Sequence, residues 1–185
     1  MNNHLFHGQL VRLVAANSET DAEVMARWSR NSEYHRLLDS DAFAPPAVKQ
    51  VKESISKWME HERNDGFGFM IRTLADDRTI GFVGLGGINW NNGDGFIGIG
   101  IGEPEYWGKG YGTDAMRILL RFAFDELNLH RASLCVYAYN PRAIRSYEKA
   151  GFKIEGRARQ TVNRDGQRSD EVFMGVLREE WERTA

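Results

Sequence analysis

A chain of 185 residues, 42% hydrophobic and 27% charged, has the size and balance of one globular domain with a single core. Its net charge of −2 gives no electrostatic case for nucleic acid or an acidic membrane as main partner. The single cysteine, Cys135, excludes an intrachain disulfide and a multi-cysteine metal site, and its apolar neighbours Leu134 and Val136 suit a buried thiol better than a nucleophile.

The first residues, Met1 to His7, lack the charged-then-apolar order of a signal peptide. No apolar run approaches the roughly 18 residues that a membrane span needs, so a cytoplasmic soluble protein is expected. Gln9 to Val14 alternates as a strand, and Ser18 opens a helix through about Arg30. Asn31 to Ala44 reads as irregular. After Pro45-Pro46, a second helix is predicted over Ala47 to Arg63, with Val48, Val51, Ile55, Trp58 and Met59 at helical spacing. Phe67 to Leu74 and Thr79 to Trp90 form a hairpin, and Asn91 to Gly95 turns the chain into a strand over Phe96 to Gly102.

That strand alternates isoleucine with glycine. Ile97, Ile99 and Ile101 share one face, while Gly98, Gly100 and Gly102 leave the other bare. Such a bare face marks close approach by a ligand or close packing of a helix, and the strand alone does not choose between them. Tyr106-Trp107-Gly108-Lys109-Gly110-Tyr111-Gly112-Thr113 follows and opens a helix running to about Asn128. A glycine-rich turn at a helix N-terminus offers unpaired N–H groups and the positive end of the helix dipole, which suits a phosphate. Taken alone it is equally a tight turn.

A strand over Ala132 to Tyr139 leads to Asn140-Pro141, a cap and first-turn pair for a helix to Ala150, which Gly151 ends. On this helix Ala143, Tyr147 and Ala150 form an inward stripe, and Arg142, Arg145 and Lys149 form a basic one. Phe152 to Val162 and Glu171 to Leu177 complete a hairpin around Asn163-Arg164-Asp165-Gly166. Residues 1–185 therefore read as one mixed domain of strands and helices.

The glycine loop and the Asn140–Tyr147 helix together make the chain resemble the GNAT superfamily of acetyl-CoA-dependent N-acetyltransferases. The likeness is to the branch with ribosomal-protein N-terminal and spermidine acetyltransferases. The resemblance implies an α+β, three-layer α-β-α fold around a mixed, largely antiparallel sheet of about seven strands. It implies that Trp107, Gly108, Lys109, Gly110, Tyr111, Gly112 and Thr113 hold the pyrophosphate of acetyl-CoA. Ile99, Gly100 and Ile101 then pair with its pantetheine amides, Asn140 contacts the cofactor arm, and Arg142 and Arg145 belong to the same site. Tyr147 is implied as the general acid at the sulfur.

The chemistry fits direct attack by a primary amine on the thioester, with backbone N–H groups on the strand to stabilise the oxyanion. Two departures stand out. Trp107 replaces the Gln or Arg that often begins the family loop, and Phe96 replaces an acid that many relatives carry before the central strand's first glycine. Asp94 and Glu103 are therefore the candidate bases, although each reads better as a solvated turn or loop acid, with a water relay or an amine already neutral as the alternatives. The acceptor is expected to be a small amine or a protein N-terminus, with no nucleic acid, membrane or metal, and with homodimerisation as in many relatives. The competing reading is a non-catalytic acyl-CoA sensor. Nucleotide folds fit poorly: Lys109 lies between glycines, and Thr113 stands where a dinucleotide fingerprint needs glycine.

Overall fold

The computed structural model describes residues 5–59 and 65–182. Seven strands form one sheet: β1 (Val11–Ala15), β2 (Phe67–Thr73), β3 (Thr79–Asn89), β4 (Asp94–Ile101), β5 (Arg131–Tyr137), β6 (Lys153–Arg164) and β7 (Gln167–Leu177). Their order is β1-β2-β3-β4-β5-β7-β6, and every neighbouring pair is antiparallel except β4 and β5. Six helices accompany it: α1 (Ser18–Trp28), α2 (Ser32–Leu38), α3 (Val48–Met59), α4 (Tyr111–Arg121), α5 (Pro141–Ala150) and α6 (Arg178–Glu182). This is the expected α+β class.

Alternation along the strands builds the layers. On β2, Ile71 joins a core with Val83, Ile97 and the α4 residues Met116, Leu119 and Leu120. Its neighbour Met70 points the other way, into a second core with Ala22, Ala26, Trp28, Tyr34, Val51 and Ile55 from α1, α2 and α3. Helices thus cover both faces of the β1–β4 half.

Local chemistry sets the boundaries. Asn17 and Asn140 cap α1 and α5 through their side chains, and Gly151 (φ 108°) closes α5. The β6–β7 turn is Asp165-Gly166, both at positive φ (50° and 76°), the geometry of a two-residue hairpin, so both strands outrun their predicted lengths. The segment read as irregular holds α2, begun by Asn31, whose Oδ1 accepts from Glu33 and Tyr34 N–H. Of the predicted second helix, residues 60–63 lie outside the described residues.

Candidate active site

A single topological fact opens the site. β4 and β5 pair only at Asp94–Arg131, Gly95–Ala132 and Phe96–Ser133, so from Ile97 onward β4 has no partner on that edge. Gly102 N–H donates to Ile80 on the β3 side. By alternation, the backbone groups of Ile97, Ile99 and Ile101 turn toward the gap. The Ile101 carbonyl accepts from the Trp107 indole N–H at 2.7 Å. The Ile99 N–H and C=O and the Ile101 N–H stay on the open edge, where a ligand bearing amides can add to the strand.

A cleft of about 440 Å³ follows this edge, lined by Ile99, Gly100, Ile101, Trp107, Gly108 and the start of α4. Gly110 caps α4 in the left-handed region (φ 94°) with no side-chain hydrogen bond to the helix, so the first helical N–H groups stay uncapped. A Cβ at Gly108 (φ 72°) would meet nothing within 4 Å, which leaves the loop's backbone bare toward a ligand. Gly112 and Thr113 also line the cleft, and Thr113 Oγ1 lies 2.8 Å from Ser146 Oγ, joining α4 to α5. Lys109 and Tyr111 belong to the loop but lie outside the cleft lining.

The anion end is more basic than the sequence reading foresaw. Arg142, Arg145 and Lys149 line it as their stripe predicts, and Arg117 of α4 joins them while donating to the Lys149 carbonyl at 2.9 Å. Asp114 lines it too, but its carboxylate accepts the backbone N–H of Gln9, Leu10 and Val11 at 2.7 to 3.1 Å. It is thereby committed to holding the chain before β1 against α4. Asn140 caps α5 and also lines the cleft. Its Oδ1 accepts from Ala143 N–H at 3.1 Å.

Tyr147 also lines the cleft, and burial, with Cys135 beside it, raises its hydroxyl above the ordinary phenol range. It therefore stays protonated and able to donate at neutral pH. Cys135 is half-buried, and burial, reinforced by the Glu171 carboxylate, pushes its thiol up to about 12. A thiol held protonated is no acyl-accepting nucleophile.

The two acids read as candidate bases are not brought to this cleft. Glu103 is only 7% exposed, and its carboxylate accepts from Trp28 Nε1 at 3.0 Å and pairs with Arg27 and with Arg78 at 3.3 Å. It ties α1 and the turn before β3 to the segment after β4. Asp94 pairs with Arg131 at 3.5 Å at the far end of β4, five residues or about 16 Å from Ile99. Among the described residues, no group of three or more His, Cys, Asp or Glu gathers to hold a metal.

The glycine face of β4 is divided. Gly102 and Gly100 receive helix packing: a Cβ on Gly102 would overlap the Trp28 ring, and one on Gly100 would lie 2.6 Å from the Tyr34 hydroxyl oxygen. Gly98 alone has open space. Sequence reasoning missed Tyr34, Leu37 and Leu38, which line the cleft from α2. Leu37 also lines a second cleft, about 540 Å³, between α2 and the β6–β7 turn, with Glu33, Arg36, Tyr139, Arg164, Asp165 and Arg168 around it.

A family model described as an acetyltransferase (GNAT) domain matches residues 11–153. The chain is 31% identical over 154 residues to an uncharacterized SPbeta prophage-derived N-acetyltransferase, YokL, of Bacillus subtilis, covering 83% of this chain and 84% of that protein. It is 31% identical over 138 residues to a putative ribosomal N-acetyltransferase of the same organism, YdaF, covering 75% of each. Among solved structures, a spermidine N-acetyltransferase from Vibrio cholerae in complex with CoA and spermine matches with a TM-score of 0.81. Identity there is 25%, over 93% of this chain and 98% of that one.

Proposed function

The chain belongs to the GNAT acetyltransferase family and is an N-acetyltransferase using acetyl-CoA, and on that premise we propose that it acetylates a primary amine carrying a single charge, such as a protein N-terminus. Acetyl-CoA supplies an activated thioester, and this chain's residues do the binding and orienting. In this reading the uncapped N–H groups of Gly112 and Thr113, with Arg142, Arg145 and Arg117, hold the pyrophosphate. Ile99 and Ile101 hold the pantetheine amides through the open edge of β4, assisted by Asn140. Tyr147 donates its proton toward the departing thiolate. Transfer is direct, because the one cysteine is held as a thiol.

The observation that supports the acceptor is the charge around the second cleft. Its lining carries two acids, Glu33 and Asp165, against three arginines, Arg36, Arg164 and Arg168, and Asp165 is already paired with Arg36 at 2.8 Å. A lining with surplus positive charge tolerates one ammonium better than several. A polyamine with three or four charges would find too few partners there. This favours a monoamine, although the solved relative above is named for spermidine. The test is CoA release from acetyl-CoA with peptides bearing free N-termini, with simple monoamines and with spermidine. The expected order of kcat/KM places a peptide or monoamine above spermidine, and a preference for spermidine overturns the monoamine reading.

A further inference from the structure

Two tyrosines reach the cleft from opposite faces of the sheet. Tyr147 stands on α5 and packs on the core shared with α4, whereas Tyr34 stands on α2 in the core shared with Trp28 and Met70. Tyr34 is 6% exposed, and among the described residues no hydrogen bond reaches its hydroxyl; only its backbone N–H is satisfied, by Asn31. Burial raises the hydroxyl well above the ordinary phenol range, so it is neutral. The hydroxyl oxygen keeps some accessible surface, and Tyr34 lines the cleft, so the N–H of a ligand can reach it. The oxygen rests on Gly100, where the missing side chain lets it come against β4 between Ile99 and Ile101. It also stands one turn of helix from Leu37, the residue shared with the second cleft.

We propose that the Tyr34 hydroxyl binds the acceptor amine, accepting a hydrogen bond from its N–H and holding its lone pair toward the acetyl carbonyl. This rests on the acceptor reading above. The amine enters through the cleft between α2 and the β6–β7 turn, opposite the side from which Tyr147 approaches. The ammonium first gives one proton to water, which frees the lone pair; a nitrogen–carbon bond then forms and the carbon–sulfur bond breaks. The thiolate takes a proton from Tyr147, which recovers one from solvent, and the amide nitrogen gives up one proton to water. Tyr34 changes neither charge nor protonation; it fixes direction and distance.

The experiment compares wild type with Tyr34→Phe, using acetyl-CoA and a peptide with a free N-terminus alongside simple monoamines. Acetyl-CoA affinity is read by calorimetry, turnover by CoA release, and folding by thermal melting. The expected result is an unchanged or higher Tm, an acetyl-CoA Kd within about twofold, and a kcat/KM for the amine lower by about tenfold or more. Wild-type turnover in Tyr34→Phe overturns the assignment, whether or not Tm falls. A loss of acetyl-CoA affinity instead places the hydroxyl on the donor and overturns it equally. If wild type binds acetyl-CoA but acetylates no primary amine, the acceptor reading itself fails, and the Tyr34 assignment with it.

Discussion

The guanidinium carbon of Arg142 lies 4.0 Å from the centre of the Trp107 ring. The loop after β4 and the first turn of α5 are thereby joined across the cleft. Burial lowers the Arg142 pKa while Glu33 opposes the shift, and its charge persists at neutral pH. Trp107 also donates to the Ile101 carbonyl. It therefore braces the end of β4 and holds the Arg142 guanidinium against the loop.

A cation–π contact contributes roughly 0.5 to 2 kcal/mol according to its desolvation. Trp107→Ala should accordingly weaken acetyl-CoA binding by about tenfold. Trp107→Phe keeps a ring for Arg142 but loses the indole N–H, and should weaken it by about threefold. Calorimetric titration checks both. An unchanged Kd in Trp107→Ala removes the brace from cofactor binding.

The glycines of β4 should respond in a fixed order. Alanine at Gly102 collides with the buried Trp28 ring, alanine at Gly100 presses on Tyr34 and Phe82, and alanine at Gly98 meets open space. Overpacking of this kind costs about 1–3 kcal/mol, against about 0.5 kcal/mol or less for an unopposed methyl. Thermal melts should rank Gly98→Ala as the mildest and Gly102→Ala as the most damaging. A Gly98→Ala protein as unstable as Gly102→Ala contradicts the packing described.

This ordering shows where the sequence stops being legible. Alternating glycine announces close approach by something, but what approaches comes from Trp28 and Tyr34, far away in the chain. The Asn140–Pro141 start and Gly151 end of α5 are local chemistry, so that helix was readable to the residue. α2 is seven residues long with only Tyr34 buried, too short for a helical period to show. The loop and Tyr147 were visible as motifs. The partners of Glu103 were not, because ion pairing with Arg27 and Arg78 depends on where α1 docks. The insertion of β7 between β5 and β6 leaves no local trace either.

Glu103→Gln should separate clamp from catalysis. The variant keeps an acceptor for Trp28 but leaves Arg27 and Arg78 without their shared charge. Breaking such a pair destabilises a fold by up to about 3–5 kcal/mol where both charges are buried, and by less here because both arginines are largely exposed. The expected outcome is a lower Tm with kcat per folded molecule within about threefold of wild type. A collapse of kcat at full stability restores Glu103 as a base.

Tyr147→Phe should lower kcat by about 100-fold while acetyl-CoA affinity stays within about twofold, since the lost proton donor acts on the leaving group and not on the bound thioester. Burial holds this hydroxyl protonated. The kcat profile should therefore show no fall from its ionisation below about pH 10, the ordinary value for tyrosine. Equal kcat in the variant takes Tyr147 out of the reaction.

Alkaline stability follows from Cys135, whose pKa rises from 9.0 to about 12 through burial and the neighbouring Glu171. The unfolded thiol releases its proton first as pH rises, so above pH 9 the unfolded chain binds fewer protons than the folded one. Its contribution is fully present below the unfolded value and is lost progressively as pH rises toward the folded one. Tyr34 and Tyr147, both raised from 10.0, add losses of the same sign at higher pH. Urea midpoints should therefore fall between about pH 9 and pH 11, and Cys135→Ala should flatten the early part of that fall. A variant with the same alkaline slope as wild type would show that the thiol ionises as easily in the folded chain as in the unfolded one.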